Sequence, residues 1–135
     1  MYLFIVSKGF YTVCAAGREP DHCELLEFLQ DLGPNLQKDR DRVLALFGKV
    51  AREGPPRNIE IFHQIKGKLF EFIQGRLRIL WFYDEGRLII CTSGFMKKGQ
   101  KTPRSEIEHA IQVMNEYFED KKRGEIRIYE EEVIR

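Results

Sequence analysis

Three apolar, strand-like segments follow one another between residues 68 and 95 with almost nothing between them, and that spacing constrains the fold more than any other feature of the chain. Lys68 to Ile73, Arg76 to Tyr83 and Arg87 to about Phe95 are rich in the aromatic and branched residues that suit a pleated, half-buried surface. Gln74-Gly75 and Asp84-Glu85-Gly86 separate them. Connections that short cannot carry a parallel crossover, so the segments are expected to pair as consecutive antiparallel hairpins. The expected unit is a meander.

The remaining segments fit around it. Tyr2 to Val13 reads as a strand bent or bulged at Lys8-Gly9. Asp21 is placed to cap a helix starting near His22, whose apolar face is Leu25, Leu26, Phe28, Leu29 and Leu32, before Gly33-Pro34 breaks it. A second helix is expected from about Asn35 to Arg52, with Leu36, Val43, Leu44, Leu46, Phe47 and Val50 inward and Lys38 to Arg42 toward solvent. The pair reads as one helical hairpin packed on a sheet. Ile59 to Ile65 is a connection or a short extra strand. A third helix is expected from Pro103 to about Arg123, capped by Thr102, with Ile107, Ala110, Ile111, Met114, Tyr117 and Phe118 at core-facing spacing. Gly124 stops it, and Glu125 to Tyr129 adds a last short strand. The expected fold class is α+β: an antiparallel sheet with an N-terminal helical hairpin and a C-terminal helix, forming one domain over residues 1–135.

Size and composition agree with a single core, since 135 residues with 43% hydrophobic side chains fill one and leave no room for two. No apolar run approaches the 18 residues or so of a membrane span, and Met1 to Val6 lacks the basic start and cleavage site of an export signal. Cys14, Cys23 and Cys91 are odd in number and widely spaced, which supports neither a disulfide framework nor a zinc site. His22, His63 and His109 form no helical ligand pair. A cytoplasmic protein without metal or cofactor is the expectation.

Charge is concentrated where the whole-chain balance hides it. Residues 63–104 carry nine Lys or Arg against three acids, a net +6, whereas the chain as a whole carries +1. Three of those lysines fall within five residues of Gly94-Phe95-Met96-Lys97-Lys98-Gly99-Gln100-Lys101-Thr102-Pro103, on a loop between a strand and a helix start. Such a loop holds charge in solvent while the scaffold fixes its position, and clustered cations attract a phosphate backbone. The same residues also suit simple solvation of separate sheet edges, and charge alone does not choose between the two. The acidic stretch 124–135 follows as a tail.

Strand register adds a second observation. With Gln74 and Gly75 as turn residues, Ile73 faces Arg76 and Glu71 faces Arg78 across the ladder. In the next hairpin Arg78 falls opposite Thr92 or Ser93, depending on turn length. A carboxylate and a guanidinium then share one face near the root of the lysine loop. That pair is either a cross-strand salt bridge of small consequence or an Arg aimed at phosphate and positioned by Glu71.

The order of elements, with Leu69-Phe70-Glu71-Phe72, Arg78-Ile79-Leu80-Trp81-Phe82-Tyr83 and the Gly-Phe-x-Lys-Lys-x-x-Lys-Thr-Pro string of residues 94–103 followed by Glu106-Ile107, resembles the phage-derived HigB-like toxins of the RelE/ParE superfamily. The resemblance is closest over residues 66–120. Ile73 and Ser93 depart from it, standing where that pattern carries Arg and His. It implies a RelE-like fold, with two helices on one face of a curved antiparallel sheet and a basic concave face. It also implies a toxin that cleaves translated mRNA in the ribosome, is neutralised by a helix-turn-helix antitoxin, and meets DNA only through that complex. The alternatives are a ParE-like gyrase inhibitor that cleaves nothing, and an inactive member that only binds antitoxin or DNA.

RNA cleavage by attack of a 2′-hydroxyl on its own phosphate needs proton transfer and charge stabilisation, which Lys, Arg and a carboxylate can supply without metal. The candidate catalytic residues are Arg78, Glu71 and Lys98. Arg76, Lys97, Lys101, Lys66 and Lys68 are the candidate RNA-binding residues, and His63 is a lesser candidate.

Overall fold

The computed structural model describes residues 1–56, 62–99 and 101–130, with the backbone alone over 62–66. Its strands are β1 (Tyr2–Lys8), β2 (Thr12–Gly17), β3 (Phe62–Lys66), β4 (Leu69–Gln74), β5 (Leu77–Asp84), β6 (Leu88–Met96) and β7 (Arg127–Tyr129). Its helices are α1 (Glu24–Gln30), α2 (Gln37–Glu53) and α3 (Arg104–Lys122), with a single 3-10 turn at Pro34–Leu36. One sheet of seven strands runs in the order β3-β4-β5-β6-β2-β1-β7. The class is α+β.

The meander forms as expected, and β5 is its centre. Six consecutive residues from Leu77 to Phe82 are buried because both faces of the strand are covered. Leu77, Ile79 and Trp81 pack toward α1 and α2 with Phe47, Val43 and Leu29. Leu80 and Phe82 pack toward α3, against Ala110 and against Val113 and Tyr117 respectively. The helices therefore lie on both faces. Burying each Leu, Ile, Val or Phe in these layers contributes about 1.5–3 kcal/mol before entropy is counted.

The sheet is mixed where an antiparallel one was expected. β6 lies parallel to β2, and β7 parallel to β1. Each pair is joined through a long excursion across helices or other strands, which is the condition for parallel neighbours. The single strand expected over Tyr2 to Val13 is in fact a hairpin. The chain reverses at Gly9, whose N–H bonds Tyr11 O at 2.9 Å, while Tyr11 N donates to Ala51 O of α2 at 2.8 Å. β2 then extends to Gly17, and its small residues Cys14, Ala15 and Ala16 are buried between the layers.

Both hairpin registers differ from expectation. In β4–β5, Gln74 pairs with Leu77, Ile73 with Arg78 and Glu71 with Leu80, so the turn residues are Gly75 and Arg76. Gly75 has φ +59°, and a positive φ at the first central residue is what a type II′ hairpin turn demands. In β5–β6 the turn is Glu85-Gly86-Arg87, and an irregularity at Thr92 puts Arg78 opposite Phe95 rather than Thr92 or Ser93. Gly94 faces α1: a Cβ there would meet Phe28 Cδ2 at 2.8 Å and Leu25 Cδ1 at 3.0 Å. The first residue of the lysine-loop string thus lets a helix approach the sheet.

Helix boundaries shift modestly. α1 starts at Glu24 with Cys23 as its N-cap rather than at His22 behind Asp21, because Pro20 and Asp21 form a tight turn closed by His22 N donating to Glu19 O at 3.3 Å. Neither Asp21 nor Thr102 caps a helix; Pro103 is the N-cap of α3. The buried line of α3 is Ala110, Val113 and Tyr117, with Ile107, Ile111, Met114 and Phe118 half-buried beside it. Of the stretch Ile59 to Ile65, the strand alternative holds from Phe62 onward; its start lies outside the described residues, as do Gln100 and the end of the acidic tail. Among the described residues, no helix is long and apolar enough to cross a membrane.

Candidate functional site

The lysine loop leaves β6 at Met96 and enters α3 at Arg104, and two hydrogen bonds anchor its ends. Lys97 N donates to Arg76 O at 2.8 Å, which ties the loop to the β4–β5 turn. Thr102 Oγ1 donates to Glu71 Oε2 at 2.7 Å, which ties its far end to the middle of β4. Thr102 was expected to cap a helix. Its partner is Glu71 instead, 31 residues away in sequence, a contact that local pattern gives no sign of.

Glu71 is 2% exposed and Arg78 is 7% exposed. They share the α3 face as diagonal rather than directly opposed residues, with Arg78 Nε 3.9 Å from Glu71 Oε1. Arg78 Nη1 donates to Gly75 O at 2.6 Å and Leu77 O at 3.0 Å. Burial lowers the Arg78 pKa from the ordinary guanidinium value, and the Glu71 carboxylate opposes that shift. An arginine remains charged at any physiological pH, so an ion pair and two carbonyls hold a positive charge beneath the loop. In this conformation Arg78 braces the β4–β5 turn and does not present an open fork to solvent.

The cations above the brace are arranged differently. Arg76, Lys98 and Lys101 are exposed and Lys97 is half-buried. None of the four forms an ion pair among the described residues, whereas Lys8, Arg18, Arg104, Lys121, Lys122 and Arg123 all do. Arg76, Lys97, Lys98 and Lys101 are thus brought together with Arg78 and Glu71 around one end of the meander. Lys68 is not: it sits in the β3–β4 turn, and the six residues of β4 put about 17 Å at strand rise between that turn and the one that carries Arg76. Lys66 ends β3 in the same direction, and its side chain lies outside the described residues. Register sets His63 opposite Glu71.

The two departures from the motif pattern flank the pair. Ile73 is the register partner of Arg78, and Ser93, opposite Leu80, is buried with its Oγ 3.3 Å from Thr92 Oγ1. Thr92 Oγ1 in turn donates to Leu80 O at 3.2 Å. Of potential metal ligands, Glu19, Asp21 and His22 bring donor atoms within 4.8 Å of one another, all exposed, and Glu27 Oε1 holds His22 Nδ1 at 2.8 Å. They read as solvated charge. The three cysteines are free and buried; burial pushes the Cys14 thiol up to about 12 and the Cys23 thiol to about 11, which makes them inert core residues.

A family model described as phage derived protein Gp49-like matches residues 25–115, from α1 through the meander and the lysine loop into α3. The chain belongs to this Gp49-like family. No curated protein matches it. The matched span contains every element of the braced loop and leaves out the β1–β2 hairpin and β7. The Gp49-like part of the molecule is therefore the part that carries the exposed cations.

Proposed function

We propose that this Gp49-like protein is a HigB-like toxin of the RelE/ParE superfamily, acting as a ribosome-dependent endoribonuclease on translated mRNA and neutralised by a helix-turn-helix antitoxin. One observation carries the reading: Arg76 in the β4–β5 turn and Lys97, Lys98 and Lys101 on the adjoining loop form no ion pair among the described residues, beside a buried Glu71–Arg78 pair and a Thr102 hydrogen bond that fasten the loop. Unpaired cations on a rigid support bind a phosphate backbone at little reorganisation cost. A β1–β2 hairpin, α1 and α2 packed on one face, the β4–β5–β6 meander and then α3 are compatible with a RelE-like architecture, although that pattern has a single first strand.

In this reading the exposed cations hold the RNA backbone and stabilise the extra negative charge that develops when a 2′-hydroxyl attacks its phosphate. Lys98, exposed where Lys97 is half-buried, is the residue we propose as the donor of a proton to the departing 5′-oxygen. Glu71 receives Thr102 and Arg78 and is closed to solvent, so its part is positioning rather than proton abstraction. His63, opposite Glu71 in register, is the group to test as the base.

Expression without a partner is expected to arrest growth, and primer extension on translated messages to reveal new 5′ ends that naked RNA does not give. Growth arrest with intact messages and inhibited DNA supercoiling would move the assignment to the gyrase-inhibitor branch. Absence of both would leave a binding-only member.

A further inference from the structure

At the end of the meander away from the lysine loop, a cleft of about 750 Å³ opens between the ends of β4 and β5 and the last turns of α3. Its volume lies in the range of small-molecule sites, roughly 300–1,000 Å³. Phe70, Tyr83 and Phe118 supply planar apolar walls, and Lys68, Lys121 and Lys122 line it as well. Tyr83 is 39% exposed, although large aromatic side chains in this fold are otherwise mostly covered. It packs edge-on against Trp81 at 4.7 Å and Phe70 at 5.6 Å between ring centroids, so the ring is held rigidly while one side meets solvent. Burial, together with nearby Tyr11, raises the Tyr83 pKa and keeps the phenol neutral.

The charges in the cleft are divided. Asp84 accepts from Tyr117 at 2.5 Å, from Lys121 at 2.9 Å and from Glu85 N at 2.7 Å, so its charge is spent within the protein. Glu85 projects into solvent and reaches Lys121 only at 3.9 Å. Lys122 leans toward Glu119 at 3.7 Å, and Lys68 forms no ion pair among the described residues.

We infer that this cleft is a second RNA contact, which stacks one nucleobase of a single strand against Tyr83 and holds the adjoining phosphate with Lys68. Rigid aromatic faces flanked by lysines are the means by which proteins bind single strands irrespective of sequence. A protein partner is the poorer occupant, because Lys is depleted from protein–protein interfaces and three lysines line this cleft. The inference rests on the proposed RNA-directed function, and gives that function a grip about one β-strand length from the β4–β5 turn that carries Arg76.

The test uses the full chain without ribosomes and a single-stranded RNA hexamer containing 2-aminopurine. Binding is expected to quench the fluorophore by stacking. Tyr83→Ala is expected to bind about 5- to 150-fold more weakly with the quench lost, the range for losing one base–aromatic stack, while Tyr83→Phe keeps both. Lys68→Ala, at an exposed turn position, is expected to weaken binding with the quench at saturation retained. A duplex of the same sequence is expected to show no quench. Unchanged binding and quench in Tyr83→Ala, equal quench on the duplex, or no hexamer binding by the wild type would each overturn the cleft assignment. Cleavage of translated mRNA by Tyr83→Ala reads the nuclease reading separately: hexamer stacking without any cleavage by the wild type would keep the cleft and remove the nuclease.

Discussion

Thr102 and Glu71 are joined by a 2.7 Å hydrogen bond that fastens the end of the lysine loop to a carboxylate almost wholly closed to solvent. A bond to a charged, buried acceptor is worth more than an exposed one, on the order of 1.5–3 kcal/mol. The loop's position thus depends on a residue inside the sheet. Thr102→Val keeps the shape and removes the donor, and is expected to lower unfolding stability by that amount, while Thr102→Ser restores most of it. Urea denaturation of the three proteins measures this; equal midpoints would show that the bond does not hold the loop.

The Glu71–Arg78 pair sets up an asymmetric response. Arg78→Met removes the guanidinium 3.9 Å from a buried carboxylate that keeps its Thr102 hydrogen bond, and the loss is expected to stay at or below the roughly 3–5 kcal/mol of breaking a buried pair. Glu71→Gln is expected to cost less, because Arg78 retains Gly75 O and Leu77 O. The double variant is expected to be less destabilised than the sum of the two. A double-mutant cycle by denaturant unfolding checks this, and strict additivity would mean that the 3.9 Å approach carries no coupling.

For the lysine loop the expected signature is electrostatic rather than structural. Lys97→Ala combined with Lys98→Ala is expected to leave the melting temperature nearly unchanged, since neither side chain forms an ion pair among the described residues. Affinity for single-stranded RNA across a salt series is expected to show a logarithmic slope reduced by roughly 0.7 for each lost phosphate contact. An unchanged slope would identify the loop as solvated surface.

Asp84 offers a pH readout. Burial raises its pKa, but the bonds from Tyr117, Lys121 and Glu85 N outweigh that and leave it below the ordinary aspartate value. A carboxyl depressed in the folded state stabilises the protein above its unfolded pKa of about 3.9, and that contribution is lost as pH falls through the lower folded value. Wild type is therefore expected to exceed Asp84→Asn in stability at pH 6, with the gap closing below about pH 4. Chemical denaturation from pH 6 to pH 2 follows the gap directly; a constant difference would remove Asp84 from the acid response.

How much of this could be read from the chain varies residue by residue. The three meander strands were legible because their apolar runs and short connections admit one pairing order, and the α2 stripe Val43, Leu46, Phe47 and Val50 because its spacing is helical. That Glu71 and Arg78 share a face was also legible, even though the assumed register was displaced by two residues. Side chains alternate with a period of two, so an even slip changes the partner and keeps the face. The parallel pairings of β2 with β6 and β1 with β7 were not legible, since nothing local marks a strand that will meet a neighbour across a long excursion.

The sequence by itself determined the three meander strands, the core-facing stripes of the helices, the shared face of Glu71 and Arg78, and the gathering of lysines after β6. Only the tertiary structure decided that Arg78 and Glu71 are closed to solvent while Arg76, Lys98 and Lys101 are open, that Lys68 sits with Tyr83 at the other end of the sheet, and that Thr102 serves Glu71 rather than a helix. Periodicity is a property of neighbours along the chain, whereas burial and hydrogen-bond partners depend on which distant elements close over them.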